Sequence, residues 1–200
     1  NGFVGRHLAA DLVKLGETVL VADVEQSPLP HYSQATFSRV DVTKPETLHA
    51  IRLEPDDVVY NLSAKMLAPI VVRRERYDFF WPVNYGGVKN ILEWVHMSGA
   101  SRFVQFTTDM VYGHTTQHLT REDAPQNPLG EYGKSKSAAE TVCAEYREKG
   151  VNVTIFRPRL IIGPGRLGIL AKLFKLIDLN LPVPMIGSGK NPYQFVSVYD

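Results

Sequence analysis

The sequence predicts an α/β fold: a doubly wound parallel sheet with helices on both faces. Two observations predict it. Segments with helical spacing of apolar residues alternate along the chain with short strand-like runs. Runs such as TVLVAD are apolar and β-branched without polar alternation, the pattern of a parallel strand buried on both faces. Ligands of such sheets lie outside the carboxyl ends of the strands, so residues at strand ends are the first candidates for function.

The elements follow in order. NGFVGRHLAADLVKLG places Phe3, Val4, Leu8, Leu12 and Leu15 close to helical spacing, with Gly16 as a stop. TVLVAD and TFSRVD are the next two strands. VTKPETLHAI predicts a short helix with Thr43 as N-cap and Glu46 three residues on, a capping box. DVVYNLS is a strand, and VNYGGVKNILEWVHMSG a long helix ending at Gly99. SRFVQFTT is a strand, GEYGKSKSAAETVCAEYREKG a helix between two glycines, and VNVTIFR a strand. GILAKLFKLIDLN predicts a last amphipathic helix, and FVSVYD a strand and its exit. The longest irregular stretch, about Tyr112 to Gly130, is of a length that often carries function. The start without methionine and the abrupt end mark an excerpt, whose first strand is expected before residue 1.

Composition narrows the function classes. A net charge of +1 gives no strong field for nucleic acid or an anionic membrane. No apolar run reaches the roughly 18 residues of a membrane span. The single cysteine, Cys143, excludes an intramolecular disulfide and fits a reducing, cytoplasmic compartment. No metal is expected.

Two places suggest chemistry. At the first, Gly2 and Gly5 flank Phe3 in NGFVG, directly before a helix. That spacing matches the last two glycines of a G-x-x-G-x-x-G turn, where backbone N–H groups and the helix dipole hold a pyrophosphate. Glycines at a helix start also occur for local reasons. Asp23 ends TVLVAD about 20 residues on, where a carboxylate accepts hydrogen bonds from an adenosine ribose. A carboxylate there repels a 2′-phosphate, so NAD is expected over NADP. Asp41, at the end of TFSRVD, is a candidate for the adenine side or a simple cap before Thr43.

At the second place, Tyr132 and Lys136 fall at i and i+4 on one helix face. An ammonium ion beside a phenol favours the phenolate, which can take a proton from a substrate alcohol as its hydride leaves. The same spacing arises by chance on ordinary helix surfaces. Here Thr107 and Thr108 end the preceding strand, where a hydroxyl can hold the substrate oxygen.

NGFVG, VLVAD, VDVTKPETL, VYNLSA, VNYGGVKNIL, FVQFTTDMVYG, YGKSK, FRPRLIIGPG and IGSGKNPYQFVSVYD stand in register over essentially the whole chain. Together they resemble the extended short-chain dehydrogenase/reductase family, in particular its NAD-dependent epimerase/dehydratase group acting on sugar nucleotides. The resemblance implies a seven-stranded Rossmann sheet with part of a small C-terminal substrate-binding lobe. The implied division is an NAD-binding domain over 1–165 and the start of the lobe, with a return strand, over 166–200. It implies Tyr132 as catalytic base, Lys136 as its partner and a ligand of the nicotinamide ribose, and Thr108 as the third catalytic residue. Gly2, Phe3 and Gly5 fall at the pyrophosphate turn and Asp23 at the ribose. Asp41 and Val42 fall at the adenine, and Leu62, Ser63 and Ala64 at a strand end passing the cofactor. Asn84 starts a helix that supports the site, and Pro158 packs near the nicotinamide. Asp109, Met110, Arg159 and Arg166 fall on the substrate side.

Two departures bear on activity. Dehydratases of the group carry glutamate where this chain has Met110, so a 4,6-dehydratase is not expected. Many sugar-nucleotide enzymes carry asparagine where this chain has Leu160. The first expectation is a nucleoside-diphosphate-sugar epimerase. A 3β-hydroxysteroid-dehydrogenase-like or other NAD(P)-dependent alcohol dehydrogenase or reductase stays open. So does a non-catalytic NAD(P)-binding sensor, although sensors usually lose the tyrosine or the lysine. A homodimer through the helices at about 83–98 and 132–149 is the expected assembly.

Overall fold

Strand and helix alternate in the computed structural model, which describes residues 1–26, 34–66, 71–115, 119–166, 170–185, 187–190 and 192–200. The chain forms two compact units, Asn1–Arg157 and Pro158–Asp200. The first contains α1 (Phe3–Lys14), β1 (Leu20–Asp23), β2 (Thr36–Arg39), α2 (Pro45–His49) and β3 (Val58–Asn61). It continues with α3 (Arg76–Trp81), α4 (Val88–Met97), β4 (Arg102–Phe106), α5 (Gly130–Glu148) and β5 (Asn152–Phe156). The second contains β6 (Leu160–Ile162), α6 (Leu170–Asp178) and β7 (Phe195–Ser197). The expected start of α6, Gly168–Ile169, lies outside the described residues.

Every strand pairing is parallel, as the apolar runs predict. β1 pairs with β2, β4 lies between β3 and β5, and β6 pairs with β7. The main core forms where α4 and α5 meet the β3–β4–β5 sheet. Val88, Leu92, Val95, Phe103, Ala139 and Cys143 are almost wholly enclosed there. In β1 the burial alternates, with Leu20 44% exposed.

Two helix starts also differ from the sequence pattern. The short helix does not begin at a Thr43 capping box. Pro45 takes its first position, where a missing N–H costs nothing, and the N-cap falls on Lys44. Thr43 instead donates its N–H and hydroxyl to Asp41 Oδ1, at 3.0 and 2.7 Å. The long helix expected from Val83 begins earlier, at Arg76, and widens into a π-helical segment over Pro82–Gly87 before α4. Proline lacks the N–H for the regular ladder, and its ring crowds the carbonyl four residues back. The π-helical turn begins at this proline, and Asn84 within it lies fully in the interior.

Candidate active site

The phosphate end lies at the start of α1. Gly2 is extended (φ −68°, ψ 176°) and leads into α1, whose first-turn N–H groups have no intrahelical acceptors. No atom lies within 4 Å of where a Gly2 side chain would begin, while a Cβ on Gly5 would sit 3.5 Å from Leu62 Cδ1. Helix α1 thus approaches the end of β3, with Phe3 buried beneath the turn. The Asn1 side-chain amide donates to the Glu25 carbonyl, which sets the turn beside the residues that follow β1. Free N–H groups in the first turn of α1, with a carboxylate closing β1, fit a dinucleotide.

The neighbouring strand ends are ordered by their own side chains. Thr43 holds the Asp41 carboxyl below the usual carboxylate range, through its hydroxyl first and its N–H second. The Val42 carbonyl accepts Asn90 Nδ2 at 2.9 Å. After β3, Leu62, Ser63 and Ala64 follow directly, and Ser63 donates its N–H and hydroxyl to Asn61 Oδ1. Asn84 grips the next residue from both sides: Lys65 N–H donates to its Oδ1 at 2.8 Å, and its Nδ2 donates to the Lys65 carbonyl at 3.0 Å. The same Nδ2 reaches Ser135 Oγ at 3.2 Å, which ties this strand end to α5.

At the chemical end, the two adjacent threonines face different tasks. Thr107 Oγ1 donates to Glu140 Oε1 at 2.6 Å and is buried. Thr108 caps a short 3-10 turn, Asp109–Val111, accepting the Met110 N–H at 3.2 Å and donating to Asp109 Oδ1 at 3.2 Å. Helix α5 packs on that turn: a Cβ on Gly133 would come within 2.9 Å of the Met110 carbonyl. The first turns of α5 therefore place Tyr132 close to the turn that Thr108 caps. The Phe80 ring meets the Tyr132 ring edge-on, centroids 5.6 Å apart. Trp81 Nε1 donates to Glu131 Oε2 at 2.8 Å and pins the start of the helix. Lys136 is 2% exposed and donates to the Phe106 carbonyl at 3.1 Å. Burial pushes its ammonium down to about 8.

Pro158, Arg159 and Arg166 belong to the second unit. The backbone of Arg166 exchanges both its hydrogen bonds with Gly163. Among the described residues, no three His, Cys, Asp or Glu side chains converge as a metal site, and no helix is long and apolar enough to cross a membrane.

Sequence reasoning missed the polar interior behind these residues. Asn61 and Gln105 face each other across β3 and β4, joined by a 2.9 Å hydrogen bond. Gln105 Nε2 donates to the Phe106 carbonyl that Lys136 also uses. Glu140 was missed as well, although it continues the four-residue spacing of Tyr132 and Lys136. That spacing was the available signal.

A model of the NAD-dependent epimerase/dehydratase family matches residues 1–200. The chain belongs to that family. It is 30% identical to the uncharacterised protein y4nG of Sinorhizobium fredii, over 98% of this chain and 48% of that one. It is also 30% identical to UDP-glucuronic acid decarboxylase 2 of Arabidopsis thaliana, over 98% of this chain and 46% of that one. The chain thus spans about half the length of these curated relatives. The UDP-glucuronic acid 4-epimerase of Bacillus cereus, crystallised with NAD, shares the fold at a TM-score of 0.77 and 23% identity. That match covers 99% of this chain and 68% of that one. The family's cofactor is NAD, as Asp23 predicts, and its Rossmann architecture is the one expected from the strand–helix pattern.

The irregular stretch after β4 depends on one glycine. Gly113 has φ +65°, and a Cβ on it would overlap the Asn127 carbonyl. Gly113→Ala is expected to lower unfolding free energy by more than about 1 kcal/mol. Urea unfolding checks this: the midpoint should fall with an unchanged slope.

Proposed function

We propose that the protein is an NAD-dependent nucleoside-diphosphate-sugar epimerase that oxidises a secondary alcohol of the sugar. One observation carries the proposal: Tyr132 and Lys136 lie on one face of α5, with Lys136 enclosed, against the turn capped by Thr108. Tyr132 takes the proton of the substrate hydroxyl, and Thr108 hydrogen-bonds the same oxygen to hold its geometry. Lys136 supplies the adjacent positive charge that favours the phenolate and donates to the nicotinamide ribose. Gly2, Phe3 and Gly5 present the pyrophosphate site, Asp23 the ribose site, and Asp41 and Val42 the adenine side. Leu62, Ser63, Ala64, Asn84 and Pro158 complete the cofactor contacts. When bound, NAD would supply a two-electron acceptor for the alcohol carbon and give the pair back to the other face of the ketone. Asp109, Met110, Arg159 and Arg166 face the substrate.

The UDP-sugar activities in the names of two relatives support the substrate class. Leu160, in place of the family's frequent asparagine, favours a second candidate, an alcohol dehydrogenase or reductase acting on a substrate without a diphosphate. A cytoplasmic setting and a homodimer through the segments at about 83–98 and 132–149 belong to the same proposal.

A panel of UDP-sugars and sterol-like alcohols, incubated with NAD and the full-length protein, tests it. Product stereochemistry, reduced cofactor and released carbon dioxide are followed together. Epimerised sugar without net reduced cofactor is the expected result. Net reduced cofactor selects the dehydrogenase, carbon dioxide selects a decarboxylase, and NAD binding with no turnover selects a sensor.

A further inference from the structure

Glu140 is 5% exposed, two turns along α5 from Tyr132 and one from Lys136. Its two carboxylate oxygens collect four donor atoms of three side chains from three other segments. Thr107 Oγ1, at the end of β4, donates at 2.6 Å. Gln126 Nε2, in the irregular stretch, donates at 2.6 Å. Arg157, just past β5, donates from Nη2 at 2.7 Å and from Nε at 3.0 and 3.1 Å to the two oxygens. The guanidinium goes on to donate to Tyr112 Oη at 2.6 Å and to the Glu122 carbonyl at 2.8 Å. One buried carboxylate therefore joins the catalytic helix, the strand end bearing Thr108 and the loop that follows it.

We propose that Glu140 is a positioning residue for the proton-transfer pair: it locks these segments together and places a buried carboxylate one helical turn from Lys136. This rests on Tyr132 and Lys136 being that pair. The ionisable groups that face Lys136 and Glu140 are Tyr132 and Cys143 on α5, and Arg157 after β5, which carries Tyr112 with it. Burial opposes the Lys136 charge, while a Cys143 thiolate and the Glu140 carboxylate would favour it. Burial, and then Glu140, push the Cys143 thiol up to about 12, so it is uncharged when Lys136 titrates. Glu140 is left as the anion that matters. Arg157 partly neutralises it from the far side, and the Glu140 hydrogen bond, the largest cause, raises the guanidinium pKa further.

Two substitutions of opposite sign separate charge from packing. Glu140→Gln keeps the shape and removes the anion, whereas Arg157→Gln leaves the anion unneutralised. The probe is the pH titration of the Lys136 side chain by NMR on isotope-labelled lysine, with its signal assigned by loss in Lys136→Arg. The midpoint of about 8 should fall by roughly 1 pH unit in Glu140→Gln and rise in Arg157→Gln. A scaffold role alone would lower stability in both variants without moving the midpoint in opposite directions. Should Glu140→Gln fail to fold, the double variant leaves no unpaired charge. Its midpoint should still fall, because the carboxylate one helical turn from Lys136 has been removed. Midpoints that stay in place, or move the same way in both single variants, overturn the proposal. The titration needs no substrate, so its outcome is separate from whether Tyr132→Phe loses turnover.

Discussion

Tyr132→Phe is expected to reduce turnover by about 10²–10⁴-fold, the usual contribution of a positioned acid–base group, while leaving NAD binding unchanged. The substitution removes one oxygen and keeps the ring. The edge-on contact with Phe80 and the hydrogen bond from Ser135 Oγ to the Tyr132 carbonyl at 2.8 Å both survive. The helix should therefore hold its place, and the loss should appear in kcat rather than in the affinity for NAD. Isothermal titration with NAD, beside steady-state kinetics on the identified sugar, checks both halves.

Lys136→Met is expected to abolish activity and yet stabilise the protein near neutral pH. A buried ammonium whose pKa has fallen from 10.5 to about 8 carries a desolvation penalty on the order of 3 kcal/mol. Methionine fills the same space without it. The Phe106 carbonyl keeps its hydrogen bond from Gln105 Nε2, at 2.9 Å, so no buried acceptor is orphaned. The pH dependence has a definite sign. Between about 8 and 10.5 the unfolded chain holds a proton at Lys136 that the folded protein has released. Wild-type stability from this group therefore rises with pH across that window, and below it the full penalty remains. The variant lacks that rise. Urea unfolding at several pH values should show its advantage shrinking as pH increases. An advantage that stays constant would mean the lysine is not desolvated.

How much was legible in the sequence depended on how local each determinant is. Tyr132 and Lys136 could be paired because i,i+4 spacing on a helix fixes proximity by itself. Thr107 and Thr108 could be placed at a strand end by pattern, and the resemblance alone singled out Thr108. Only the chain packed behind them shows Thr107 turned to Glu140 and Thr108 capping the next turn. Glu140 shares the helix face, yet its meaning lies in Gln126 and Arg157, which reach it only after the sheet has formed. Asn61 and Gln105 are polar residues inside apolar strands, and parallel register is what pairs them. Pro82 lay just ahead of the expected helix start, and the structure makes it the first residue of a π-helical turn inside a longer helix. Pro45 likewise displaced the expected Thr43 cap.

The central claim is that Tyr132 and Lys136 flank the reacting end of bound NAD. A crystal structure of the full-length protein with the dinucleotide tests it most directly. The account predicts the pyrophosphate at the Gly2–Gly5 turn and Lys136 Nζ on the nicotinamide ribose. It also predicts Tyr132 Oη within hydrogen-bond reach of that ribose, about 2.6–3.2 Å. A nicotinamide bound away from α5, with the Tyr132 hydroxyl turned to solvent, would contradict it.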